Sequence, residues 1–179
     1  MKALVAVLLM ICTLLVPLSA PALSIPTDVA SLTSIAEWAG CHGVEIADVV
    51  APYYDFNAYF TVNPYTGQPV IVIINGVTVP EQHRFMIFLH ELGHCLQYMD
   101  GTIFQMEQVT RELDADGRAA QLACALHMDG PRMLDELWDW VRAEFGYEGD
   151  PSHGTLEQRR EQANRAKSYC PAIQAPFQA

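Results

Sequence analysis

Apolar residues crowd every side of the segment from residue 81 to residue 99. Phe85, Met86, Ile87, Phe88, Leu89, Leu92, Cys95 and Leu96 leave no polar face when wound as a helix. A helix that is apolar nearly all round is a buried one. Pro80 and Glu81 suit its start, and Asp100-Gly101 suits its stop. A second helical pattern runs from about 107 to 128, with Ala115 and Ala119 small enough to let it approach a neighbour closely. Gly130-Pro131 opens a third helix to about Phe145. Leu134, Leu137, Trp138, Val141 and Phe145 form one stripe on it, expected to be core rather than substrate groove. Thr155 and Gln158 are spaced for a capping box on a last helix to about Lys167. Thr27 can cap a first helix through about Trp38, ended by Gly40.

Two stretches have strand character. Residues 56–62 and 69–79 are β-rich and flank Asn63-Pro64-Tyr65-Thr66-Gly67-Gln68, which reads as a hairpin turn. Residues 41–54 follow neither period, and 100–106 read as a loop. The expectation is a single α+β domain, mostly helical, with a small antiparallel sheet beside the 81–99 helix. A length of 179 residues supports one adequate core.

Among the polar residues of this helix, three form a motif. His90, Glu91 and His94 spell H-E-x-x-H. Unsatisfied polar groups in a buried helix are costly, so these three need partners. Positions i and i+4 share one helical face, where two imidazoles can hold one metal ion. Glu91 can then reach a water at the metal and take its proton. Zn²⁺ suits nitrogen and oxygen ligands and acidifies water, so the motif reads as a metallopeptidase site. A catalytic zinc takes three protein ligands and leaves one position open. Glu112 and Asp116 lie one turn apart on the next helix. Glu112 is the expected third ligand. Asp116 is expected to accept the free N–H of a ligand histidine, His90 foremost. Asp114 reads as a solvated acidic residue.

Together these residues resemble a family. His90-Glu91-Leu92-Gly93-His94 followed by Glu112-Leu113-Asp114-Ala115-Asp116 is similar to the H-E-x-x-H…E-x-x-A-D signature of gluzincin metallopeptidases, in the group of CAAX-prenyl endopeptidases and HtpX-type proteases. Asn57-Ala58-Tyr59-Phe60, with the apolar run 70–74 after it, resembles the strands preceding that group's zinc helix. Ser152-His153…Arg159 resembles its downstream segment, with Gly154 where a proline is usual. The resemblance spans about residues 55 to 165. It implies a zincin-like fold, a bound Zn²⁺ and an endopeptidase acting on a protein or peptide substrate. It also implies zinc-proximal roles for His153 and Arg159. His153 would be a fourth ligand or an oxyanion donor. Arg159 would stabilise the oxyanion or pair with an active-site carboxylate. Tyr53, Tyr54 and Tyr98 are further donor candidates. His83 is expected near the face of His90, and His42 and His127 read as incidental. The alternative function is an exported zinc-binding protein that holds or inhibits a partner without cleaving it.

Residues 3–18 form an apolar run after Lys2, and Ala20-Pro21-Ala22 fits a cleavage site. Residues 1–22 therefore read as a signal peptide and 23–179 as an exported domain, periplasmic or secreted. No second apolar run is long enough for stable membrane insertion. A formal net charge of −11 disfavours nucleic acid and anionic lipid as partners. Oligomeric state has no signature in the sequence. Beyond Cys12 in the leader, Cys41, Cys95, Cys124 and Cys170 are an even set, as expected of two disulfides in an exported chain. Sequence does not choose among the three pairings. Cys41–Cys170 with Cys95–Cys124 is the one we favour, since it would staple both ends and tie the two motif helices together.

Overall fold

The computed structural model describes residues 25–50, 57–75 and 79–170. The expected signal peptide, Tyr53, Tyr54 and the residues after Cys170 lie outside this range. Helix α1 (Val29–Ala39) is capped by Asp28 rather than Thr27: the Asp28 carboxylate accepts from the Ser31 amide at 2.9 Å. It ends on Gly40 in the left-handed region, at φ 102°. Strands β1 (Glu45–Val50), β2 (Asn57–Val62) and β3 (Pro69–Asn75) form one sheet in the order β1-β3-β2. The 63–68 hairpin is present. Asn63 accepts from the amides of Tyr65 and Thr66 through its side chain and from Gly67 through its carbonyl.

The sheet is not wholly antiparallel as expected. β2 and β3 run antiparallel, as a tight turn requires, but β1 pairs with β3 in parallel. The chain between β1 and β3, which includes β2, is long enough to allow that crossover. β1 escaped the sequence reading because only Ile46 of it is buried, while Val49 and Val50 face solvent.

Helix α2 (Glu81–Met99) packs on this sheet, and Ile71 and Ile73 of β3 join Phe85, Met86, Phe88, Leu89 and Leu92 in the core. After a short turn of 3-10 helix (Thr102–Phe104), α3 (Gln108–Ala125) lies against α2. Helix α4 (Gly130–Phe145) starts on Asp129 with Pro131 in its first turn and ends on Gly146. Its apolar stripe serves the core, as expected, and partly lines a cavity as well: Trp138 and Val141 pack against the core cluster. Leu134 and Leu137 are buried, Leu137, Trp138 and Val141 wall a cavity, and Phe145 is exposed. A two-residue hairpin, β4 (Gly149–Asp150) and β5 (Gly154–Thr155), leads into α5 (Leu156–Ala166). The predicted capping box is formed: Thr155 Oγ1 accepts from the Gln158 amide, and Gln158 Oε1 accepts from the Thr155 amide. The architecture is α+β. Among the described residues no helix is long and apolar enough to cross a membrane.

Both disulfides differ from the favoured pairing: they join Cys41 to Cys95 and Cys124 to Cys170. The reason is angular. Gly93 of α2 faces α3, and Cys95, two residues on, is turned by roughly 200° to the opposite side. There it meets Cys41, just after α1, and cannot reach Cys124 on α3.

Candidate metal centre

His90 and His94 sit one turn apart on α2, with ring centroids 4.7 Å apart. Glu112, on the first half of α3, comes between their outer nitrogens. Its Oε2 lies 3.3 Å from His90 Nε2, and its Oε1 lies 3.5 Å from His94 Nε2. The three groups offer ligand atoms that all lie within 4.8 Å of one another. Two imidazole nitrogens and a carboxylate so close together form a group that could hold a metal ion.

The inner nitrogens are held as well. His90 Nδ1 is 2.8 Å from Asp116 Oδ1, the partner that the sequence pattern proposed. His94 Nδ1 donates to Gln97 Oε1 at 2.9 Å. Gln97 Nε2 is used elsewhere, donating to the Arg111 carbonyl and to Asp114 Oδ2, so its oxygen is the atom left for His94. Each histidine is thereby fixed with Nε2 turned toward Glu112. Gln97, a fully buried amide one turn after the second histidine, was missed in the sequence because its role depends on what α3 places opposite it. Asp114 is not merely solvated, since it holds both Gln97 and Arg118.

Arg159 is only 2 % exposed and reaches the centre from α5. Its Nη2 is 3.3 Å from Glu112, its Nη1 is 3.3 Å from Asp116, and its Nε donates to the His153 carbonyl at 2.9 Å. Its guanidinium also lies over the Trp138 ring at 4.1 Å. Of its two expected roles, the geometry gives carboxylate pairing. One buried cation offsets two carboxylates that would otherwise be costly to desolvate.

This arrangement sets the protonation of the metal-free centre. Burial opposes a charged His90, but hydrogen bonds to Asp116 and Glu112 outweigh it and raise the pKa to about 10. Burial would raise Glu112 in turn, yet the hydrogen bonds and charges of His90 and His94 hold it well below the usual carboxylate range.

The cavity in front of these groups measures about 510 Å³. β2 contributes Ala58, Tyr59 and Phe60, and β2 is an edge of the sheet. Buried Glu91 lines the cavity beside the two histidines. His153 also lines the cavity, on an exposed turn, with Nδ1 2.9 Å from Asp150 Oδ2, and makes no hydrogen bond to His90, His94 or Glu112. Tyr147, unforeseen in the sequence, also lines the cavity and donates to Asp150 at 3.2 Å. Tyr98 is not part of the cavity: its hydroxyl donates to the Gly67 carbonyl. His83 stacks on Trp140 away from the centre, and His42 pairs with Glu37. No protein-family model, curated protein or solved structure matches this chain.

Proposed function

We propose that the protein is a zinc-dependent endopeptidase that hydrolyses peptide bonds in unfolded or misfolded proteins of an exported compartment. The observation that carries this reading is the joint placement of His90, His94 and Glu112 with buried Glu91 in one cavity bordered by a sheet edge. A structural metal site has no use for a carboxylate beside the first ligand and facing open space. Zinc bound by His90, His94 and Glu112 would supply Lewis acidity to a carbonyl and to water. Glu91 would take the proton from the attacking water and pass it to the leaving nitrogen. His153, steadied by Asp150 and lining the same cavity, would donate to the developing oxyanion. An extended substrate would pair its main chain with β2, which makes few demands on side chains. Two disulfides fit an oxidising compartment.

The test is Glu91→Gln in the zinc-loaded protein. Zinc content and melting temperature should survive, while cleavage of an unfolded protein such as casein is lost. Equal cleavage by the variant would overturn the role of Glu91. A parent protein that cleaves no unfolded chain would leave the non-cleaving zinc-binding function instead.

A further inference from the structure

The cavity has two chemically different ends, and α2 is the ruler along which they lie. Ile87, His90, Glu91 and His94 share its cavity face. Ile87 and His94 are seven residues apart, roughly 10 Å along the axis. Beside the first turns of α2 stands α4: His83 stacks on Trp140, and Gln82 donates to Glu136. At that end Leu137, Trp138 and Val141 make an apolar wall. Beyond His94 the contact is with α3, through Gln97 Nε2 and the Arg111 carbonyl. At that end Arg111 borders the cavity.

Arg111 is unusual in this chain. Arg118, Arg132, Arg142, Arg159, Arg160 and Arg165 each pair with a carboxylate. The guanidinium of Arg111 has no hydrogen bond or ion pair among the described residues. Scarcity is not the cause, because acidic side chains outnumber basic ones 21 to 10. Two arginines line the candidate active-site cavity: Arg159 is held by Glu112 and Asp116, and Arg111 is the one left without a carboxylate partner among the described residues. A guanidinium fork is matched best by a carboxylate, which it binds through two parallel hydrogen bonds.

We infer that Arg111 is a specificity-determining residue that binds a carboxylate of the substrate, so that the bond cleaved lies between an apolar residue seated on the α4 wall and an acidic group beside Arg111. This rests on the endopeptidase reading above and names its substrate class. The carboxylate has two sources, an acidic side chain or a chain terminus.

The experiment compares matched peptides with the zinc-loaded protein. Each peptide carries an apolar residue on one side of the cleaved bond and Glu or Gln on the other, with a free or an amidated C-terminus. The parent should favour Glu over Gln by about tenfold or more in kcat/KM, the usual weight of a hydrogen bond to a charged group. Arg111→Gln should bring that ratio close to one, and Arg111→Lys should keep part of it. Both variants retain the backbone carbonyl that receives Gln97, so zinc content and melting temperature should hold. A preference that follows the free C-terminus assigns the same Arg111 contact to a chain end. Equal cleavage of Glu and Gln peptides with either terminus, or a preference unchanged in Arg111→Gln, overturns the inference and leaves the endopeptidase reading standing. A parent that cleaves no peptide at all overturns both.

Discussion

Gly93 lies against the backbone of Ala115. A Cβ at Gly93 would sit 2.9 Å from the Ala115 carbonyl oxygen and 3.0 Å from its Cα. The neighbouring atoms are backbone and cannot swing aside, so α2 and α3 would have to separate. Gly93→Ala should therefore destabilise the fold by about 1–3 kcal/mol despite the better helix propensity of alanine. It should also weaken metal binding, because α3 carries Glu112 and Asp116. Denaturant unfolding and zinc titration of the same variant check both effects. Gly117→Ala is the control, since nothing lies within 4 Å of a Cβ there and the change should be neutral or stabilising.

Gln97 should matter to the metal without touching it. Gln97→Leu removes the acceptor of His94 Nδ1 and the donor that ties α2 to the Arg111 carbonyl and Asp114. Zinc affinity should fall about 10- to 100-fold, the usual cost of losing a partner behind a ligand histidine. Asp114→Asn still offers Gln97 an acceptor and should lower affinity far less. Competition with a chromophoric chelator reads both, and an unchanged affinity in Gln97→Leu would remove Gln97 from the centre.

Metal binding should be strongly pH-dependent. In the metal-free centre His90 keeps its proton to about pH 10, held by Asp116 and Glu112 against the cost of burial. A metal needs a bare Nε2, so binding must release that proton. Apparent zinc affinity should rise about tenfold per pH unit between roughly pH 7 and pH 9, then flatten above the His90 pKa. A flat profile across that window would mean that His90 is neutral before metal arrives.

The disulfide pairing can be checked directly. Peptide mapping under non-reducing conditions should recover Cys41 with Cys95 and Cys124 with Cys170. The second bridge spans 46 residues and ties the chain after α5 to α3, so replacing both of its cysteines with alanine should cost about 2–4 kcal/mol. Because α5 carries Arg159 to Glu112 and Asp116, that loss should also weaken zinc binding.

Local signals made much of this molecule legible in advance. The apolar run around His90 and His94 marked α2 to within its observed ends. Thr155 with Gln158 marked the start of α5, and residues 63–68 marked the hairpin. The spacing of Glu112 and Asp116 identified two groups that α3 brings to His90. Helix periodicity, caps and turns act over a few residues, and so does the i, i+4 geometry that brings two imidazoles together. Such features need no knowledge of what lies opposite.

What the sequence left open depends on partners far along the chain. β1 runs parallel because of where β3 lies, and its exposed valines hide its period. Cys95 meets Cys41 because α2 turns that face away from α3. Gln97 becomes the support of His94 only when α3 supplies Arg111 and Asp114 to occupy its amide nitrogen. Arg159 and Arg160 are adjacent and look alike in sequence, yet the direction of α5 buries one against Glu112 and leaves the other beside Asp139. By itself the sequence determined the helices, the hairpin and the residue types able to hold a metal, since these follow from short-range geometry. The tertiary structure alone decided which distant side chains share a cavity, which cysteines join and which arginine stays unpaired. Those outcomes follow from how whole elements pack, and packing is settled by surfaces far apart in the chain.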